Sequence, residues 1–359
     1  MATKDLQDSS KEQTPKKALI SSTRSSVVDN FKSRRKTEFD VDQVFKSLLN
    51  GNITALSRAI TLIESTKLED KPLAQQLLQQ CLPYSNKSIR IGITGVPGVG
   101  KSTFIESFGN LMASESNKIA VLAVDPSSSV SKGSVLGDKT RMQQLANHPD
   151  VYIRPSAAGS TLGGVARKTR ETILLCEAFG FNTIIIETVG VGQSETVVHS
   201  MVDFFLVLKL SGAGDELQGI KRGIIELADS IVINKADGDN LQRAKIAKTD
   251  FSRALKLYPP KENGWKPKVL LTSAIENKGM VEVHNLIQDY IKASKDDLSF
   301  EKKRQLQNKF WLFQSIEEHL KDSFYQKPKI QDALQLQLKS IEEHKITPFA
   351  AAQYLISLL

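Results

Sequence analysis

Two cysteines in 359 residues leave no disulfide framework to read. Cys81 and Cys176 each fall inside an apolar helical pattern, so both are expected as core thiols of a reducing compartment. Histidine is as scarce, with five scattered residues and no His-rich tract. No apolar run approaches the ~20 residues that span a bilayer. Aromatic residues make up 6%, and no aromatic-studded basic module appears, so the net charge of +8 does not indicate nucleic acid. The N-terminal stretch lacks the apolar core of a secretory signal and carries Asp5, Asp8 and Glu12, unlike an acid-poor transit peptide. A cytoplasmic protein with neither a membrane nor a nucleic-acid partner is expected.

With 40% hydrophobic and 25% charged residues, the composition is that of an ordinary globular chain. The length allows about two domains, or one with appendages. Gly95-Val96-Pro97-Gly98-Val99-Gly100-Lys101-Ser102 fits G-x-x-x-x-G-K-[ST] at every fixed position. A β-branched run (Ser88–Thr94) precedes it, and a stretch with helical apolar spacing, beginning at Thr103, follows. Strand, glycine loop and helix is the context this motif requires. Glycines let backbone N–H groups turn inward on a polyphosphate, and the helix N-terminus favours the anion. Lys101 is placed to reach the β- and γ-phosphates, and the Ser102 hydroxyl to ligate Mg²⁺.

Residues 1–38 are rich in Ser, Lys, Gln and Thr and read as a disordered tail. Residues 39–87 carry three short amphipathic helices, the second capped by Thr54 and the third opening at Asp70-Lys-Pro72. From 88 to 295 strands and helices alternate. The strand candidates are Ile89–Thr94, Ile119–Val124, Val151–Arg154, Thr183–Glu187, Phe204–Leu210, Ser230–Ile233 and Val269–Thr272. Most are apolar throughout, which predicts an α/β domain with a mostly parallel sheet covered by helices on both faces. Residues 296–359 return to helix, with apolar stripes at Leu306, Phe310, Phe313, Leu320 and Phe324, and again from Ile330 to Ile341. A last helix capped by Thr347-Pro348 ends on Tyr354-Leu-Ile-Ser-Leu-Leu359. Its apolar surface must pack on its own domain or against a second subunit, and the second is preferred.

Four further stretches lie at predicted strand ends, where open parallel sheets place ligands. Asp125 follows the second strand and suits Mg²⁺ or its waters, or a helix cap. Glu187, in Glu-Thr-Val-Gly190, stands where GTPases commonly have the Asp of Asp-x-x-Gly, and its extra methylene favours contact through water. Asn234-Lys235-Ala-Asp237 suits guanine: the Asp carboxylate accepts from N1–H and the exocyclic amine, donors that adenine does not present in that arrangement. Ser273 and Ala274 stand where a backbone contact to guanine O6 belongs. GTP and GDP are therefore expected as ligands, ahead of ATP.

The longer strings Val124–Ser128, Leu136–Met142, Glu187–Gln193 and Ser211–Gly223 resemble the MeaB/ArgK family of P-loop GTPases, counterparts of the methylmalonic aciduria type A protein. The resemblance runs from about residue 41 to the end. It implies a GTPase chaperone that gates cofactor loading into an adenosylcobalamin-dependent acyl-CoA mutase, chiefly methylmalonyl-CoA mutase, and protects that enzyme. It implies a homodimer built through the C-terminal helices. It also implies that Asp125, Asp138 and Glu187 surround the metal with Ser102, that Thr103 and Gly190 join the nucleotide site, and that Ser211–Gly223 is a mobile loop. Lys101, Glu187, Gln193 and Lys221 become the candidates for catalysis. Two other readings are open: a P-loop kinase or ATPase linked to basic amino-acid transport, and a metal-insertion GTPase. The second usually carries the Cys-x-x-Cys or His-rich segments that this chain lacks. Asp237→Asn is expected to shift nucleotide preference toward xanthosine forms, as read by calorimetry; equal affinity for ATP and GTP in the parent chain would contradict the guanine assignment.

Overall fold

Runs of Ile, Val, Leu and Phe with both faces covered form the centre of the molecule. The computed structural model describes residues 39–124, 142–155, 162–188, 194–211 and 222–359. The strands are β1 (Ile89–Gly95), β2 (Ile119–Val124), β3 (Val151–Arg154), β4 (Thr183–Thr188), β5 (Phe204–Lys209), β6 (Ser230–Ile233) and β7 (Lys268–Leu271). They make one sheet in the order β3-β2-β4-β1-β5-β6-β7, every pair parallel. β2 to β4 lie on one side of β1 and β5 to β7 on the other. The chain therefore reverses its winding at β1, and the carboxyl ends there border the crevice in which open sheets take ligands.

Thirteen α-helices surround this sheet among the described residues: α1 (Val41–Leu49), α2 (Ile53–Glu64), α3 (Asp70–Cys81), α4 (Lys101–Ser114), α5 (Gln143–Ala146), α6 (Leu162–Phe179), α7 (Ser194–His199), α8 (Arg222–Leu227), α9 (Leu241–Leu255), α10 (Met280–Asp296), α11 (Ser299–Tyr325), α12 (Pro328–Glu342) and α13 (Pro348–Ile356). Phe104 and Phe108 of α4 and Ile287 and Tyr290 of α10 pack with Ile93, Ile185, Phe204 and Leu206 of the sheet. α2 packs on α6 through the stripe of Ala55, Leu56, Ala59, Ile60 and Ile63. The cap of α2 is Asn52, whose side chain accepts from the Ala55 N–H at 3.0 Å. Thr54, expected as that cap, lies inside the first turn, because Asn52 already closes the helix one residue after the Gly51 turn. Cys81 and Cys176 are buried free thiols, and burial raises both pKa values, that of Cys81 to about 12. Neither is poised as a thiolate.

The C-terminal helices differ from a simple apolar-stripe reading. The face of α11 turned to the sheet carries Phe300, Arg304, Gln307 and Trp311, while Leu306, Phe310, Phe313 and Leu320 face out. The reason is hydrogen bonding. Ser200–Asp203, between α7 and β5, presents backbone carbonyls that need donors once covered. Trp311 Nε1 donates to Ser200 O (3.1 Å), Gln307 Nε2 to Val202 O (2.8 Å) and Lys303 Nζ to Asp203 O (2.6 Å). The Arg304 guanidinium takes both Asp203 carboxylate oxygens at 2.8 and 2.7 Å, and reaches Asn86 O and Ser88 O as well. Asp203 also accepts the Arg90 N–H (2.8 Å), and Arg90 pairs with buried Glu177 at 2.9 Å. No helix among the described residues is long and apolar enough to cross a membrane.

Arg304→Ala leaves the Asp203 carboxylate buried without its fork, and breaking such a pair from one side costs about 3–5 kcal/mol. Equilibrium urea unfolding is expected to show a loss of that order. Adding Asp203→Asn should restore part of it, because the orphaned charge is then gone.

Candidate functional site

The glycine loop joins β1 directly to α4, and its shape follows from two left-handed glycines. Gly98 has φ +81° and Gly100 φ +89°, where a side chain would be strained. A Cβ on Gly98 meets nothing within 4 Å, whereas one on Gly100 would stand 3.0 Å from Asn234 Nδ2. Pro97 and Gly98 are exposed, Val96 and Gly95 half-buried, and Val99 sits wholly in the core. Lys101 opens α4, is buried, and donates through Nζ to Gly95 O at 2.8 Å. Ser102 is half-buried and Thr103 exposed in the same first turn, where helical N–H groups have no intrahelical acceptor.

The Asn234–Asp237 corner is bolted to this loop. Asn234 donates from Nδ2 to Val99 O (2.9 Å) and accepts at Oδ1 from Thr272 (3.1 Å). Its own N–H reaches Lys209 O at the end of β5 (2.8 Å). Lys235, with φ +58°, runs back over the loop, and its Nζ donates to Gly98 O at 2.8 Å. Asp237 is half-buried, and Oδ2 accepts from the Ser273 hydroxyl at 2.5 Å. Ser273 is held in turn by paired backbone bonds with Lys278, both 3.0 Å, and Ala274 beside it is buried. Glycine loop, Asn234–Asp237 and Ser273–Ala274 thus form one hydrogen-bonded surface at the carboxyl ends of β1, β6 and β7.

Glu187 is buried near the end of β4, beside Ile93 of β1 and Ala123 of β2 in register. The hydroxyls of Thr94 and Thr188 meet at 2.8 Å and tie the tips of β1 and β4 together. Asp125, Asp138, Gly190, Gln193 and Lys221 lie outside the described residues, as does most of Ser211–Gly223.

The donor set fits an anionic polyphosphate: a buried ammonium, a helix first turn and a loop whose glycines leave no side chain in the way. It also fits Mg²⁺ through the Ser102 hydroxyl and the Glu187 carboxylate. Several supporting residues were not legible in the sequence. Thr94, Thr188 and Thr272 are single hydroxyls inside strands or at their ends. Asn240, which donates to Lys235 O (2.6 Å) and accepts from Ser211 (2.6 Å), belongs to no motif.

The family model described as "Methylmalonyl Co-A mutase-associated GTPase MeaB" matches residues 56–329. The chain is 42% identical to GTPase ArgK of Escherichia coli over 311 residues, covering 87% of this chain and 94% of the relative. It is also 42% identical to the mouse protein named methylmalonic aciduria type A homolog, mitochondrial, over 326 residues, which is 88% of this chain and 79% of that one. Among solved structures, that of an LAO/AO transport system kinase superposes with TM-score 0.70 at 36% identity, covering 89% of this chain and 97% of the other.

Gly100→Ala combines a strained left-handed φ with a Cβ pressed on Asn234. A backbone penalty of about 1–3 kcal/mol is expected to weaken GDP binding roughly tenfold or more without loss of helix content. Titration calorimetry alongside circular dichroism checks this, and an unchanged GDP affinity would show that the loop tolerates displacement.

Proposed function

The chain belongs to the MeaB family of methylmalonyl-CoA mutase-associated GTPases, and on that premise we propose that it is the GTP-driven chaperone of an adenosylcobalamin-dependent acyl-CoA mutase. It is a P-loop GTPase and binds GTP and GDP. The observation that carries the nucleotide assignment is the fastening of Asn234 and Lys235 to the carbonyls of Val99 and Gly98, which sets a guanine-type corner against a phosphate loop. The client is inferred from the family description and from the name of the mouse relative. Methylmalonyl-CoA mutase is the first choice.

In this reading Lys101 and the first-turn N–H groups hold the β- and γ-phosphates. Ser102 and Glu187, with Asp125 and Asp138, hold Mg²⁺, which supplies neutralising charge at the transferred group. Asp237 accepts from guanine, Ser273 fixes that carboxylate, and Lys235 covers the base. Gln193 and Lys221 are assigned to loops that respond to the γ-phosphate. The protein gates cofactor loading and protects the mutase. Buried free thiols at Cys81 and Cys176 suit a reducing compartment, and the cytoplasm is the proposed site of action. The name of the LAO/AO kinase belongs to that protein; Asp237 favours guanine over the adenine that a transport ATPase uses.

A second copy of the chain is the proposed cover for the outward stripe of Leu306, Phe310, Phe313 and Leu320 and for Phe349 and Tyr354 of α13. Light scattering is expected to report a dimer for the full chain. Truncation before Ile330 should give a monomer that still binds GTP, since every nucleotide residue lies upstream. A full chain found monomeric at micromolar concentration would remove the dimer.

The functional test is GTP turnover with and without the apo-mutase, together with cobalamin transfer under GTP and a non-hydrolysable analogue. Turnover is expected to rise, by less than the ~10³–10⁵ that an arginine finger supplies. A mutase that neither binds, nor accelerates hydrolysis, nor loads cofactor in a nucleotide-dependent way would leave a GTPase with another client.

A further inference from the structure

A cavity of about 700 Å³ opens at the amino ends of β5 and β6, the pole of the sheet opposite the Asn234–Ala274 corner. Its volume lies within the range of small-molecule sites, roughly 300–1,000 Å³. Three ionisable side chains decide its inner charge: Lys261, Lys303 and Asp229. Asp203 also borders it, but its carboxylate is taken by the Arg304 fork. His199, at the end of α7, is neutral at pH 7, because burial and then the neighbouring Lys303 push its pKa down to about 4. Two ammonium groups therefore face one carboxylate.

The cations are held in place. Asp229 is buried, accepts the Phe205 N–H at 2.9 Å and stands 3.6 Å from Lys303 Nζ. Lys303 is anchored on Asp203 O. Lys261 sits in a tight turn, its N–H donating to Trp265 O (3.0 Å) and its carbonyl accepting from Gly264 (2.8 Å). Trp265 pins that turn through Nε1 to Asp229 O at 2.9 Å. The Lys261 ammonium donates to Glu226 O at 2.6 Å and has no other hydrogen bond among the described residues, leaving donors for an occupant. Burial and then Lys303 lower its pKa, opposed by the Asp229 and Glu226 carboxylates, and an added anion would favour its charged form. Apolar surface comes from Leu227, Leu298, Phe300, Leu306 and the ring of Tyr290, whose hydroxyl bonds Lys303, and Asn263, Ser294, Ser299 and Gln305 add neutral polar groups to the rest of the wall. Glu262, Asp297 and Glu301 stand against Lys302 at the mouth, exposed and screened.

We propose that this cavity is a second ligand site, which takes a small organic carboxylate with an apolar body. The carboxylate lies between Lys261 and Lys303, and its hydrocarbon lies against Leu227, Tyr290 and Phe300. The single excess positive charge matches a monoanion. A phosphate dianion would leave one negative charge uncompensated beside Asp229. The inference does not rest on the GTPase reading, because every nucleotide residue among the described ones lies at the other pole.

The test titrates the full chain with sodium hexanoate, hexylamine, hexanol and hexyl phosphate by calorimetry. Hexanoate is expected to bind about tenfold or more tightly than hexanol and hexylamine, which lose or reverse a charge-assisted contact, and more tightly than hexyl phosphate, whose second charge is uncompensated beside Asp229. Lys261→Gln should weaken hexanoate about tenfold, and Leu227→Trp, which fills the cavity, should abolish binding. GDP affinity serves as the folding control for both variants, and Leu227→Trp decides the matter should Lys261→Gln fail to fold. No hexanoate binding at about 10 mM, equal or tighter binding of hexylamine or hexyl phosphate, or an affinity unmoved by either variant would overturn the proposal.

Discussion

A sheet whose strands are apolar on both faces has only its ends on which to place polar groups. Burying an unpaired polar side chain mid-sheet would cost several kcal/mol, and the surrounding helices admit no water there. β2, β4 and β5 are buried along their whole length. Among the described residues, the polar groups of the sheet are consequently sorted to one pole or the other. At the carboxyl ends stand Lys101, Glu187, Asn234 and Ser273; at the amino ends stand Arg90, Asp203, Asp229 and the residues that answer them.

The two poles are built with different chemistry for a physical reason. At the carboxyl pole the glycine loop is fastened by the Asn234 amide and by the Lys101 and Lys235 ammonium groups, all donating to its backbone carbonyls. Those fix geometry without placing negative charge near the ligand. The amino pole attaches a whole helix, and charged groups do that work. Arg304 presents a planar fork that satisfies Asp203 and two carbonyls together, which a lysine ammonium cannot match. The same α11 side chains that hold Ser200–Asp203 leave the apolar stripe facing outward. Attachment of the C-terminal helices and exposure of their apolar stripe are thus one structural decision.

β5 connects the poles. It starts just after Asp203, gripped by α11, and ends at Lys209, whose carbonyl accepts from Asn234. α7, just upstream, ends on His199 in the wall of the basic cavity. A rigid strand and a short helix therefore link the C-terminal helices to both ends of the sheet.

Much of this could be read from the chain alone, because local patterns carry it. Glycine loop, strand run and helix spacing at 88–112 specify a phosphate site whatever surrounds them, and apolar runs of four to seven residues located all seven strands to within a residue or two. Asn234-Lys-Ala-Asp237 carries the guanine proposal because each of its residue types has one job there. Tertiary structure alone decided which face of α11 is buried. Helical periodicity marked Leu306, Phe310 and Phe313 as an apolar stripe without fixing what covers it, and the backbone carbonyls of Ser200 and Val202 put Gln307 and Trp311 on the face turned to the sheet. The supporting hydroxyls of Thr94, Thr188 and Thr272, and the pairing of Lys303 with Asp229, were equally invisible in sequence. Their partners lie tens of residues away, and a hydrogen bond between distant residues has no period and no motif. It exists only once the sheet has brought its strand ends together.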